Sequence, residues 1–258
     1  MPVRFRFVRD VRLDRPCMLV GFPGIGYVAK VALDYLVEKL GAEVFAEVYS
    51  HAFPSFVVVR DDGVVEPLKV ELYYSCCEGG SFILVTGNAQ PITPEGQNEL
   101  VDAIVAEIRG RYGISRIFAM AAYVVEGRTG EPRVYVAATD ASTLNAFAKQ
   151  GIMPMNGGCI TGANGIILSY AKALGIPAAC LLSETLAYTY YGYLADVKAA
   201  EALVKAITSI TGLSIDMSDI EAKAKRFEEM LKRLKEAEES VLRETREKTW
   251  RRDLTYIW

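Results

Sequence analysis

Three glycine-rich turns in this 258-residue chain carry residue types that can hold an anionic ligand. The first runs Gly21-Phe22-Pro23-Gly24-Ile25-Gly26-Tyr27-Val28-Ala29, after the apolar run Cys17-Met18-Leu19-Val20 and before a helical pattern. Gly24 to Ala29 fits G-x-G-x-x-A, a variant of the dinucleotide fingerprint. In that chemistry the glycines bring backbone N–H groups against a pyrophosphate at a helix N-terminus. The companion feature is an acid at the end of the next strand, about 20 residues further on. Glu43 and Glu47 are the acids near that distance, but they read as the start and middle of a strand whose end is Tyr49-Ser50-His51. Pro23 removes one N–H from the turn, and without Gly-Lys-Ser/Thr the stretch is no P-loop. The competing reading is structural: Gly21, Gly24 and Gly26 let a helix pack close to a strand.

The second turn is Asn156-Gly157-Gly158-Cys159-Ile160-Thr161-Gly162-Ala163-Asn164-Gly165, which also precedes a helical pattern. Its N–H groups suit an anion, yet no lysine or arginine lies within it. The third is Gly87-Asn88-Ala89-Gln90-Pro91. Together with Glu184, an acid just beyond the run Ala178–Leu182, these turns would line one crevice at the carboxyl edge of a sheet. The candidate ligand-loop residues are therefore Gly21, Gly24, Gly26, Asn88, Gly162, Asn164 and Glu184. They make a pocket without an evident reaction, since one acid lacks a partner for acid–base work.

Other reactive side chains add little. The single histidine, His51, rules out sites needing two imidazoles. No Cys-x-x-Cys pair occurs among Cys17, Cys76, Cys77, Cys159 and Cys180, and Cys17 and Cys180 sit inside apolar runs as small hydrophobes. Cys76 and Cys77 are adjacent, so on a strand they would point apart. Asp61-Asp62 precede Gly63 and read as turn formers. No metal site, no cofactor and no catalytic residue is expected.

The elements that must position these turns are legible in the apolar pattern. Strand-length runs occupy Met18–Phe22, Val44–Tyr49, Phe56–Val59, Val70–Tyr74, Phe82–Thr86, Ile117–Ala121, Val134–Ala138 and Ala178–Leu182. Those starting at Met18, Phe82, Ile117 and Ala178 are continuous rather than alternating, as in parallel strands covered on both faces. Helical patterns fill Val28–Leu40, Leu100–Tyr112 behind a Thr93-Pro94-Glu95 opening, Asn164–Leu174 and Ala195–Thr211, each closed by a glycine. Arg60–Glu66 and Val124–Val136 read as hairpins with turns at Asp62-Gly63 and Gly127-Arg128-Thr129-Gly130. The fold class is α/β: a three-layer α/β/α sandwich with a mixed sheet over residues 1–215, followed at 216–258 by a long C-terminal helix and tail.

That last segment differs in character. From Asp219 to Asp253, 21 of 35 residues are charged, 11 basic and 10 acidic, a solvated helix surface. Ile220, Ala224, Phe227, Leu231, Leu234, Val241 and Thr245 recur at steps of four, three, four, three, seven and four, a heptad seam of coiled-coil type. The helix either lies on the domain or projects and pairs with another copy. Beyond it, Trp250, Leu254, Tyr256, Ile257 and Trp258 put large apolar side chains at a chain end, where polar residues are usual. They dock either on their own domain or on a partner. The net charge of −3 gives no reason to expect nucleic acid or an anionic membrane. The charge-interrupted start is no signal peptide, and no apolar run spans a membrane, so a cytoplasmic location is expected.

LVGFPGIGYVAKVALDYL, LVTGNAQP, ITGANGIILSYAKALGIPAACLLSET and DVKAAEALVKAITSITGLSIDMSDIEAKAKRFEE, in this order and spacing, resemble the proteasome assembly chaperone 2 family in its archaeal form. The resemblance spans most of the chain. It implies a fold similar to nucleoside phosphorylases and hydrolases without their active-site residues, homo-oligomers, and assembly or binding of the 20S proteasome α-ring. Some relatives are labelled ATP-grasp-like. Archaeal relatives can end in a hydrophobic residue, tyrosine and any residue, a motif that inserts between α subunits. Here tyrosine is third from the end and Thr255 stands before it, so the partner-binding candidates Leu254, Tyr256, Ile257 and Trp258 match the motif approximately. The expected function is thus a non-catalytic assembly chaperone or adaptor. The alternative is a phosphorylase- or hydrolase-like enzyme, or a nucleotide-binding protein, that uses the glycine-rich loops.

Overall fold

The continuous apolar runs find one another. In chain order the strands are β1 (Val3–Phe7), β2 (Cys17–Val20), β3 (Glu43–Ser50), β4 (Val58–Val59), β5 (Val65–Glu66), β6 (Val70–Cys77), β7 (Gly80–Gly87), β8 (Arg116–Val125), β9 (Val134–Ala138), β10 (Met153–Pro154) and β11 (Ala178–Leu186). The helices are α1 (Val28–Lys39), α2 (Pro94–Tyr112), α3 (Ala141–Ala148), α4 (Ala163–Ala173), α5 (Val197–Thr211) and α6 (218–233). The computed structural model describes residues 3–77, 79–128, 130–187, 194–233 and 236.

Nine strands form one sheet in the order β1-β3-β6-β7-β2-β8-β11-β9-β10. The four continuous runs are β2, β7, β8 and β11, and they sit together as a parallel centre, β7-β2-β8-β11. Antiparallel strands flank that centre on both sides. Alternate residues of each central strand face opposite layers. Met18, Val20, Ile83 and Val85 pack with Leu100, Ile104 and Ile167 from α2 and α4. Leu19, Leu84 and Met120 pack with Leu33, Leu36 and Val204 from α1 and α5. Each fully buried leucine of that set contributes about 1.5–3 kcal/mol of transfer free energy. The result is the α/β/α arrangement expected from the pattern.

Local signals account for the helix ends. The Thr93 hydroxyl accepts from Gly96 N–H at 3.1 Å, Pro94 occupies the first turn, and Gly113 closes α2 with φ 67°. The Asp140 carboxylate caps α3 through Thr143 N–H at 2.8 Å. That short helix was not expected, because Ser142, Thr143 and Asn145 are indifferent helix formers and only Phe147 is buried. β1 was also missed: its Val-Arg-Phe-Arg-Phe alternation suits an edge strand with one wet face, where Arg6 meets Glu47 at 2.9 Å.

One sequence expectation is overturned. Val124–Val136 is not a hairpin: β8 and β9 do not pair, because β11 lies between them, parallel to β8 and antiparallel to β9. A long-range strand intervenes, which local turn chemistry does not reveal. The Arg60–Glu66 hairpin does form, with Val59 opposite Val65 and Val58 opposite Glu66.

The seam positions Ile220, Ala224, Phe227 and Leu231 are buried in the chain itself. Lys205 meets Glu221 at 3.3 Å and Lys198 meets Glu228 at 4.0 Å, so residues seven apart on α5 face residues seven apart on α6 in antiparallel order. The Tyr35 hydroxyl donates to Asp219 Oδ1 at 2.6 Å and Lys39 reaches the same carboxylate at 3.0 Å, fastening the start of α6 to α1. The later seam positions lie outside the described residues.

Candidate functional site

The parallel strands end at one edge, and the three glycine-rich turns meet there. They line an open crevice of about 910 Å3 whose walls include Gly24, Gln90, Tyr123, Cys159, Gly162 and Asn164. Among the described residues that line it none is charged. A phosphate site needs cationic or unspent N–H donors, and these walls supply no cation.

Two side-chain amides spend the donors and acceptors of the turns internally. Asn164 Oδ1 accepts from Phe22 N–H at 2.9 Å and its Nδ2 donates to Phe22 C=O at 3.2 Å. Gln90 Nε2 donates to Pro23 C=O, while Gln90 Oε1 accepts from Ala163 N–H at 2.9 Å at the N-terminus of α4. The helix terminus that would greet an anion is therefore met by a neutral amide of the chain itself.

Gly21 is buried, and a Cβ on it would lie 2.5 Å from Ala29 C=O and 2.8 Å from Leu33 Cβ. Its smallness sets how closely α1 approaches β2. Gly24 is different: a Cβ there has no heavy atom nearer than 4.0 Å. Gly26 and Tyr27 both take left-handed backbone, φ 58° and 50°, before α1 begins. Gly26 C=O accepts from Asp196 N–H at 2.8 Å, which joins the turn to the start of α5.

Asn88 and Glu184 are not in the crevice wall. Asn88 Oδ1 accepts from Lys69 N–H at 2.9 Å and its Nδ2 donates to Pro67 C=O at 3.1 Å, so it clamps the return segment of the β4–β5 hairpin onto the end of β7. Glu184 is buried, and its carboxylate accepts from Arg133 Nε at 2.8 Å, Arg133 N–H at 3.2 Å and the Tyr135 hydroxyl at 3.1 Å. Burial raises its pKa, but those bonds prevail and hold the carboxyl below its ordinary value. The bonded carboxylate joins β11 to β9, and its lowered pKa is opposite in direction to that of a general acid tuned up toward neutral pH. Close by, Asp196 caps α5 through Ala199 N–H at 2.9 Å, accepts from the Thr185 hydroxyl at 2.8 Å and lies 3.5 Å from Arg128.

The crevice thus gathers Gly24, Gly162 and Asn164, while Gly21, Gly26, Asn88 and Glu184 are not among its lining residues. Gln90 is the residue that sequence reasoning passed over, although the glutamine of the third turn was in view. Leu254, Tyr256, Ile257 and Trp258 lie outside the described residues. Among the described residues no group of three or more His, Cys, Asp or Glu is placed to hold a metal, and no helix is long and apolar enough to cross a membrane. His51 and Cys159 are exposed, and Cys17 and Cys180 are buried, which pushes both thiols up to about 12.

The same edge carries bare apolar side chains. Val48 pairs with Val70 and Val70 with Gly87, so the segment joining β3 to β6, including the hairpin, rises where β7 ends. Phe56, Val57, Val59, Val64 and Val65 are all more than half exposed, as is Ile92 in the turn after β7.

The PAC2 family model matches residues 18–235. An uncharacterized protein of Methanocaldococcus jannaschii is 33% identical over 255 residues, covering 98% of this chain and 96% of that protein. Pyrococcus furiosus PbaB, described as an archaeal proteasome activator, is 32% identical, with a TM-score of 0.82 over 91% of this chain and 99% of that one. Pyrococcus furiosus PbaA, described as an archaeal homolog of proteasome-assembly chaperone, shares the fold at 21% identity, with a TM-score of 0.76 over 100% of both chains.

Proposed function

The chain belongs to the PAC2 family, and on that premise we propose that it is a non-catalytic proteasome assembly chaperone or adaptor, a homo-oligomer that binds 20S proteasome α subunits through its C-terminal tail. The observation that carries this reading is the likeness to the archaeal proteasome activator PbaB, in sequence and fold, along nearly the whole of both chains.

The tail chemistry suits docking. Aromatic side chains such as those of Tyr256 and Trp258 offer much area for docking with few rotatable bonds. Several tails on one oligomer bind by avidity even where each is weak. The test is a chain ending at Asp253, compared with the full chain for co-elution with purified archaeal α subunits. The full chain is expected to co-elute and the shortened one to elute alone. Equal co-elution removes the tail from the account.

A further inference from the structure

β8 outruns the strand beside it. β2 pairs with β8 only as far as Val20 opposite Ala119, whereas β8 continues to Val125 and stays paired with β11, Val125 opposite Leu186. Alternate residues of a strand turn their N–H and C=O toward opposite neighbours. Ile117 N–H donates to Pro177 C=O at 2.9 Å on the β11 side, so the even-numbered residues of β8 face the side of β2. On β2, Gly21 N–H donates to Val85 C=O at 3.0 Å, toward β7, and Phe22 comes next, facing β8. Its N–H and C=O are both taken by Asn164, and the chain then turns toward α1. Among the described residues, no hydrogen bond joins the main chain of Ala122 or Val124 to a partner on that side.

This bare stretch borders the crevice. Ala122, Tyr123 and Val124 line it from β8, while Pro91 and Ile92 line it from the turn after β7. β7 and β8 are the two neighbours of β2, so the crevice lies on the line that β2 would follow if it continued. The free groups of Ala122 and Val124 recur about 6.6 Å apart, the repeat that an added strand presents. Ile92, Tyr123 and Val124 are exposed and offer apolar contact to the side chains of such a strand. None of the described lining residues is charged, so an ion entering there loses water without gaining a counter-charge.

We propose that the crevice binds an extended, uncharged segment of a partner polypeptide, which adds to the sheet as a strand beside β8. Bare main-chain donors and acceptors at strand spacing select a polypeptide, and the uncharged walls select apolar and hydroxyl side chains on it. The uncharged run of this chain itself, residues 254–258, is assigned above to α subunits. The choice of a partner's segment rests on that assignment, and the test separates the two.

The probe is Ac-Thr-Val-Thr-Tyr-Thr-NH2, titrated calorimetrically into the full chain. Two further forms are N-methylated at alternate residues, one form for each edge of the peptide. The full chain is expected to bind the unmethylated peptide with a Kd of about 1 mM or tighter. One methylated form is expected to bind about tenfold more weakly, because its donors toward β8 are gone, and the other to keep its affinity. Val124→Pro removes an N–H that faces the crevice and spares the ladder to β11. It is expected to weaken binding by about tenfold with an unchanged circular dichroism spectrum. Should that variant fail to fold, Gly24→Leu decides, since a Cβ there meets no heavy atom nearer than 4.0 Å and the longer side chain occludes the crevice. It should abolish binding. No binding by the full chain, equal affinity of the two methylated forms, or a folded variant that binds like wild type overturns the proposal. A chain ending at Asp253 that binds the peptide about tenfold tighter than the full chain shows the crevice holding the chain's own tail, and overturns a partner's segment. Co-elution of that shortened chain with α subunits, read separately, tests the tail-mediated function and leaves the crevice result untouched.

Discussion

Asn164 treats Phe22 as a neighbouring strand would: its side-chain amide pairs with both the N–H and the C=O of that residue, at 2.9 and 3.2 Å. The two partners are 142 positions apart in sequence and join the two glycine-rich loops across the crevice. Asn164→Ala leaves two buried main-chain groups unpaired, each worth about 1–3 kcal/mol. Urea unfolding should report a loss of about 2–4 kcal/mol, with an unchanged m-value. A loss under about 0.5 kcal/mol would mean that water replaces the amide and that the loops are not fastened there.

Gly21 and Gly24 separate a tight corner from a phosphate cradle. Gly21→Ala forces a Cβ against Ala29 C=O and Leu33 Cβ and should cost about 1–3 kcal/mol or more. Gly24→Ala meets open space, and its φ of −163° is extended backbone, so it should lie within about 0.5 kcal/mol of wild type. Calorimetry with ATP, NAD and nucleosides is expected to show no binding heat for either variant or for wild type. Wild-type heat abolished by Gly24→Ala would restore the cradle.

The five thiols divide by burial. Cys76, Cys77 and Cys159 are exposed, whereas Cys17 and Cys180 are buried with thiols held up at about 12. Ellman's reagent at pH 8 should therefore titrate three thiols in the native protein and five in guanidinium. Five fast-reacting native thiols would contradict the packing of β2 and β11.

Acid should loosen the start of α6. The Tyr35 hydroxyl, and then Lys39, hold the Asp219 carboxyl down to about 2 from an ordinary 3.8. A depressed folded value means that this contribution is fully present above the ordinary value and is lost as pH falls through about 2. The stability gap between wild type and Asp219→Asn, followed by urea midpoints, is expected to be constant above about pH 5 and to close between about pH 4 and 2. A gap that persists undiminished at low pH would show that the Asp219 contacts are not charge-dependent.

What could be read from the chain alone tracks how local the cause is. The parallel centre was legible because burial on both faces leaves continuous apolar runs in β2, β7, β8 and β11. The cap of α2 was legible in Thr93-Pro94-Glu95. The first and third turns each follow a central strand, which made their meeting legible, whereas the second follows the edge strand β10. The false hairpin at Val124–Val136 and the unseen strand β1 have a different origin, since their pairing depends on strands far away in sequence. The roles of Gln90, Asn88 and Glu184 were equally hidden: their partners Ala163, Pro67 and Arg133 become neighbours only once the sheet order is set. The hairpin at Arg60–Glu66 was legible from its Asp62-Gly63 turn, but the exposure of Val59, Val64 and Val65 on it is a tertiary fact.

The function proposed for this chain is to bind a large partner rather than to turn over a small one. Sedimentation velocity of fluorescently labelled full chain, mixed with rising amounts of purified archaeal 20S proteasome, tests it most directly. The label is predicted to move into the fast boundary of the proteasome and to saturate there. A label that sediments alone at every proteasome concentration would contradict the account.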